Sequence, residues 1–345
     1  MSVEHIGADS SSSCASNPFV VDLLTTLRAE KFRPAAWWHF FKRSWDMSCA
    51  TARDNPGLYR SWLRTTIGMA ALVCCLFCIT IVGEGFSTAL RLLPSLALCV
   101  GWQQCDLFWH LGLNRLTYER WQASQGDHMQ GDHKGAPLQW QGGASQARSS
   151  IVGAHPCGRP GLLQSIGLAN IVTLLRGLCS AYLLARILAG LSTPDSIVLV
   201  VFLSGCMTDL LDGMVARSTG TCSKLGQVLD SEIDFTFYLL VSVVLLQNGL
   251  LPLWLCVVLW LRFCLPLCAA LGSYFVLARP LRISSTIWGK CAGVCQALYI
   301  LALLAPPAFP FVTQPLRMLL LIALIALFVA ALIAQVFKAW KSFCI

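Results

Sequence analysis

Eight apolar stretches, each near twenty residues, constrain this chain more than any other feature. They fall at about 67–83, 90–112, 169–190, 195–213, 231–249, 250–277, 287–305 and 316–337. A bilayer core about 30 Å thick needs roughly 20 consecutive apolar residues in a helix. Backbone groups inside lipid must also be satisfied within their own segment. The expected fold is therefore all-α, a polytopic membrane helical bundle. Composition agrees, with 56% hydrophobic and only 12% charged residues, where a soluble domain carries about 25% charged.

The polar segments between these stretches set an orientation. Arg53, Arg60 and Arg64 precede the first; Arg115, Arg120 and Arg148 separate the second from the third. Arg217 and Lys224 join the fourth to the fifth, Arg279, Arg282 and Lys290 join the sixth to the seventh, and Lys338 and Lys341 follow the last. In an eight-span count all of these lie on one side, and the positive-inside rule makes that side cytoplasmic. Both termini then face the cytoplasm. The net charge of +8 is dispersed at span ends, which suits anionic lipid headgroups rather than nucleic acid. Most of the seventeen cysteines sit inside apolar runs such as "LVCCLFC", where cysteine behaves as a small hydrophobe.

Four parts follow. Residues 1–65 form a Ser-rich disordered tail and an interfacial amphipathic segment, "RPAAWWHFFKRSWDM", in which Trp37, Trp38, Phe40, Phe41 and Trp45 cluster. Residues 66–112 hold two N-terminal transmembrane helices; the second carries Gln103, Gln104, Asp106 and His110, so it faces protein or water rather than lipid. Residues 113–165 read as a polar, flexible linker, in which His128 and His133 are solvated. Residues 166–345 hold six spans.

The chemistry is concentrated in "DLLDGMVARSTGTCSKLGQVLDSEID", residues 209–234. Asp209 and Asp212 are three apart and Asp230 and Asp234 four apart, so each pair shares a helix face. A turn near Gly220 brings the two faces opposite each other. One charge at a bilayer centre costs about 2.5–3.5 kcal/mol on insertion scales, and four carboxylates also repel. A divalent cation, or a pair, relieves both problems, and oxygen donors favour Mg²⁺ or Mn²⁺. Such an ion can neutralise a diphosphate and orient an attacking hydroxyl. Gly213 and Ala216 leave room beside the helix, and Arg217 offers a forked donor to phosphate.

The pattern D-x2-D-G-x2-A-R-x8-G-x3-D-x3-D, met by Asp209, Asp212, Gly213, Ala216, Arg217, Gly226, Asp230 and Asp234, resembles the signature of the CDP-alcohol phosphatidyltransferase family. Asn170, Thr173 and Arg176 resemble that family's opening N-x-x-T-x-x-R helix. Gly289, Lys290 and Gln296 resemble the G-K-x-x-T-x-x-Q stretch of its bacterial phosphatidylglycerophosphate synthase branch. Ala169 and Gly293 depart from that branch, which has proline and threonine there.

The resemblance implies a six-span core that transfers a phosphatidyl or similar group from a CDP-linked donor to a small or lipid alcohol, releasing CMP. It implies one or two ions, Mg²⁺ or Mn²⁺, held by Asp209, Asp212, Asp230 and Asp234. Asp234 is the implied general base. Asp209, Asp212, Gly213, Ala216, Arg217 and Gly226 would bind the CDP group, and Lys290 and Arg282 a phosphate on an acceptor such as glycerol 3-phosphate. A homodimer in a bacterial plasma membrane is the expected setting. A membrane prenyltransferase would carry two separated acidic motifs, and this chain has one cluster. A non-catalytic membrane scaffold of the same fold would show a broken acid, and none is broken.

Overall fold

The computed structural model describes residues 25–131, 165–219, 224–275, 287–305 and 313–343. The expected disordered tail up to residue 24, together with His133 and Arg282, lies outside the described residues. The described elements are α1 (Pro34–Asp54), α2 (Pro56–Glu84), α3 (Phe86–Gly131), α4 (Leu168–Leu188), α5 (Asp195–Thr219), α6 (Lys224–Gln247), α7 (Leu253–Phe275), α8 (Ile287–Leu304) and α9 (Gln314–Phe343). No strand occurs among the described residues.

Among the described residues five helices are long and apolar enough to cross a membrane: α2, α4, α5 over Asp195–Ala216, α8, and α9 over Gln314–Phe337. The chain is a multi-pass helical membrane protein. The other three expected spans fall on α3, α6 and α7. α7 has a shorter apolar part, Leu253–Leu265. α6 carries Asp230, Glu232 and Asp234 in its first turns, and α3 carries Gln103, Gln104 and Asp106 near its middle. Gln103 donates to the Leu174 carbonyl of α4, and Gln104 accepts from the Thr66 hydroxyl of α2.

α3 departs from the expectation at its end. It continues past residue 112, the expected limit of the span, to Gly131, so the first part of the expected linker is helical. The reason is local: residues 113–130 include Leu, Arg, Glu, Gln and Ala and contain no proline.

The N-terminal helices begin and end at clear signals. Pro34 opens α1 and Pro56 opens α2, both at positions where a missing N–H costs nothing. The Asn55 side chain caps α2 by accepting from the Leu58 N–H at 3.2 Å. Gly85, at φ 91°, makes the reversal from α2 into α3. α1 leaves Trp38, Phe41 and Trp45 substantially exposed while burying Ala36, Ser48 and Thr51. Its buried side docks on α3, where the Trp109 indole N–H donates to the Ser44 hydroxyl at 2.6 Å and Trp45 lies 5.1 Å from Phe108.

α4 is the hub. It packs against α3, α5 and α6, and twelve of its residues are buried, so no face of it is left for lipid alone. One core joins α4 to α5, α6, α7, α8 and α9 through residues such as Leu183, Phe202, Phe237, Leu255, Ile300 and Leu324. Two smaller clusters join the N-terminal helices to it. Leu58, Leu107 and Leu111 pack with Leu174, Leu229 and Ile233, and Met69, Val73, Leu92 and Leu96 pack with Leu178 and Ala185. The N-terminal helices are therefore part of one bundle with the rest.

Candidate active site

The aspartate segment folds as its spacing requires. Asp209 and Asp212 sit on α5, and Asp230 and Asp234 on α6. Gly205 lets these two helices close. A Cβ there would lie 2.2 Å from Cζ of Phe237, inside any tolerable contact. The Phe237 ring fills that space and stacks on Phe202 with centroids 6.0 Å apart. One turn beyond this contact, the two acidic faces meet.

They meet around a buried arginine of α4. Arg176 is 1% exposed, and its guanidinium reaches all four carboxylates. Nη1 pairs with Asp209 and, at 2.8 Å, with Asp234; Nη2 pairs with Asp230 and, at 3.3 Å, with Asp212. Thr173, one turn earlier on the same helix face, donates its hydroxyl to Asp212 Oδ2 at 3.0 Å. Asn170, the remaining member of the N-x-x-T-x-x-R pattern, bonds instead to the Ile166 carbonyl at 2.6 Å and fixes the start of α4.

The carboxylates differ in access. The Asp212 side chain is 11% exposed, against 53% for Asp209, 45% for Asp230 and 32% for Asp234. The cluster thus has a protein-facing floor of Arg176, Thr173 and Asp212, and an open rim of the other three acids. One carboxylate oxygen from each of Asp209, Asp212 and Asp230 lies within 4.8 Å of the other two. That donor set suits a hard divalent ion. Composition points the same way: a single guanidinium faces four carboxyl groups. Asp234 stands beside this trio and shares Arg176 with it.

Gly213 and Ala216 follow Asp212 on α5, and Gly226 opens α6; all three are partly buried. The Arg217 side chain lies outside the described residues. Lys290 is exposed at the start of α8 and pairs with no carboxylate among the described residues.

Gln296 is 1% exposed and accepts from Arg262 of α7, whose Nη2 also donates to the Gly289 carbonyl at 2.9 Å. The Gly293 departure has a physical counterpart here. A Cβ at 293 would lie 2.9 Å from Arg262 Nη2, so the guanidinium occupies the space a side chain would need. Sequence reasoning did not find Arg262, because an arginine between "VVLWL" and "FCLPLC" gives no spacing signal toward residues thirty positions away.

Fold and site together define a polytopic helical membrane protein with an acidic, cation-ready centre formed by α4, α5 and α6. A family model described as CDP-alcohol phosphatidyltransferase matches residues 166–339, just over half of the chain, and the chain belongs to that family. Over 98 residues it is 34% identical to a protein described as "Probable phosphatidylglycerophosphate synthase" from Mycobacterium tuberculosis strain CDC 1551. A protein of the same description from strain H37Rv gives the same identity. Each match covers 28% of this chain and 47% of the relative, so the chain spans about half the length of the curated relatives it matches. No solved structure matches the chain.

Proposed function

We propose that this protein is an integral membrane transferase of phospholipid biosynthesis. It moves a phosphatidyl, or similarly substituted phosphate, group from a CDP-linked donor such as CDP-diacylglycerol to an alcohol and releases CMP. The observation that carries this reading is the convergence of four aspartates from two helices on one buried guanidinium. Membership of the CDP-alcohol phosphatidyltransferase family supports it.

In this reading Asp209, Asp212 and Asp230 hold Mg²⁺ or Mn²⁺, as one or two ions, with Asp234 reaching a second. The bound ion supplies charge neutralisation of the diphosphate and polarisation of the bond to be broken. Asp234 accepts the proton of the acceptor hydroxyl as that oxygen forms its bond to the β-phosphorus and CMP departs with the bridging oxygen. The contact from Arg176 at 2.8 Å fixes the carboxylate that takes this proton. Gly213, Ala216 and Gly226 leave space for the nucleotide, and Arg217 lies beside its phosphates. Lys290 and Arg282 bind a phosphate on the acceptor, for which glycerol 3-phosphate leads. The description of the Mycobacterium relatives is consistent with that alcohol.

The domain plan belongs to the same proposal: a tail and interfacial segment over 1–65, two spans over 66–112, a linker over 113–165 whose first part continues α3, and a six-helix transferase domain over 166–345. The protein sits in a bacterial plasma membrane as a homodimer, with the aspartates and both termini on the cytoplasmic side. There a lipid-linked donor keeps its tails in the bilayer while its CDP head meets a soluble alcohol.

The test is CMP release by detergent-purified protein with CDP-diacylglycerol, Mg²⁺ and one alcohol at a time. Release with glycerol 3-phosphate that EDTA stops is the expected result. Release with another alcohol only would overturn the acceptor, and no release with any alcohol from folded protein would overturn the reaction.

A further inference from the structure

A second group of donors lies between α3 and α6. Asp106 and His110 stand one turn apart on one face of α3. Glu232 stands on α6 between Asp230 and Asp234, and a step of two residues turns it about 200° away from them. His110 Nε2 lies 3.5 Å from Asp106 Oδ1 and 3.3 Å from Glu232 Oε1. One donor atom from each of the three lies within 4.8 Å of the other two.

These separations lie within ion-pair range but are longer than a close charge-assisted hydrogen bond. A charged N–H on a carboxylate closes to about 2.7–2.9 Å. Ligands bound at about 2.1 Å around a tetrahedral zinc ion stand about 3.4 Å apart, close to the two distances from His110 Nε2. One imidazole nitrogen and two carboxylate oxygens are also ligand types that zinc accepts. Asp106 and Glu232 also border open space. A cavity of about 510 Å³ is lined by Asp106 and Glu232, with Gln103, Ser180 and Thr236. Gln103 Oε1 is buried, with no hydrogen-bond donor to it among the described residues. Asp106 and Glu232 are 28% and 46% exposed, so an ion and its water can enter.

We infer that Asp106, His110 and Glu232 bind one zinc-class divalent cation, which staples α3 to the helix carrying Asp230 and Asp234. Two of the three ligands precede residue 166, where the family match begins. The site therefore belongs to the N-terminal helices as much as to the family domain. It gives those helices a metal-dependent hold on α6.

Zinc retention tests this without any assay of turnover, so its failure and the failure of the transferase reading are separate results. Full-length protein in detergent is stripped with EDTA, exchanged free of chelator, incubated with zinc chloride and passed over a sizing column, and zinc per chain is measured. Wild type should retain one zinc per chain more than His110→Gln or Glu232→Gln. Glu232 is half exposed, so its variant guards against a folding failure at His110. Zinc should also raise the thermal unfolding midpoint of wild type and not that of Glu232→Gln. Equal zinc content in wild type and Glu232→Gln, no retained zinc in wild type, or an equal rise in both midpoints would overturn the site and leave a plain ion pair.

Discussion

Helix α4 carries two buried arginines, Arg176 and Arg186, at 1% and 2% exposure. They lie ten residues apart, about 15 Å along the axis. Arg176 faces four carboxylates on two other helices of the family domain. Arg186 faces one, Glu84 at the end of α2, through a two-pronged contact of 2.6 and 3.0 Å, and takes Tyr182 and the Ser192 carbonyl as its other partners. The Arg186 end is balanced in charge, and both of its terminal guanidinium nitrogens are matched by acceptors. The Arg176 end is overloaded with acids, three of them at least 32% exposed. Balance is what a structural clamp needs, and an acidic excess open to solvent is what a cation site needs. The same residue type on one helix thus does two jobs, and the surrounding charge separates them.

Substitutions at the two ends should differ in kind. The largest effects are expected for Asp230→Asn, which removes an ion ligand and should abolish metal-dependent CMP release, and for Asp234→Asn, which should lower release by about 10²–10⁴-fold, the range for loss of a general acid–base group. Circular dichroism and the sizing profile should be unchanged, because both side chains are partly exposed. Next is Arg176→Met, which strands four carboxylates around an apolar side chain. It should cost about 3–5 kcal/mol, as breaking a buried pair does, read as a lower thermal unfolding midpoint together with lost release.

Arg186→Met should cost less, about 2–3 kcal/mol, because Glu84 is partly solvated and less of the full penalty applies. Here the double variant Glu84→Met/Arg186→Met should recover most of that loss, since a buried pair exchanged for apolar groups is often near neutral. The smallest effect is expected for Lys290→Ala. Stability should stay within about 0.5 kcal/mol, while the KM for a phosphate-bearing acceptor rises by about tenfold, or 1.4 kcal/mol, at unchanged kcat. An unchanged KM would return Lys290 to simple interfacial charge.

How much of this was legible in the sequence follows from the range of each interaction. The aspartate pairs were readable because a helix turns spacings of three and four into a shared face. Arg176 was visible as part of a pattern, but its role as the hub of four acids depends on three helices meeting, which no local spacing encodes. The same holds for Arg186 with Glu84, 102 positions apart, and for Arg262 with Gln296. The polar residues of α3 announced that it does not face lipid alone. Their partners needed the bundle: Gln103 donates to the Leu174 carbonyl at 3.2 Å, and Gln104 accepts from Thr66 at 3.1 Å. α3 outran its expected end because an apolar count marks where lipid stops, whereas helix formation needs no apolar side chains.

The most direct measurement is metal-dependent CMP release by wild type, Asp230→Asn and Glu84→Met/Arg186→Met, each shown to be folded and each run with and without EDTA. The account predicts EDTA-sensitive release by wild type and by the double variant, and none by Asp230→Asn. Release by folded Asp230→Asn, or a folded double variant without release, would contradict the division between a chemical end and a structural end of α4.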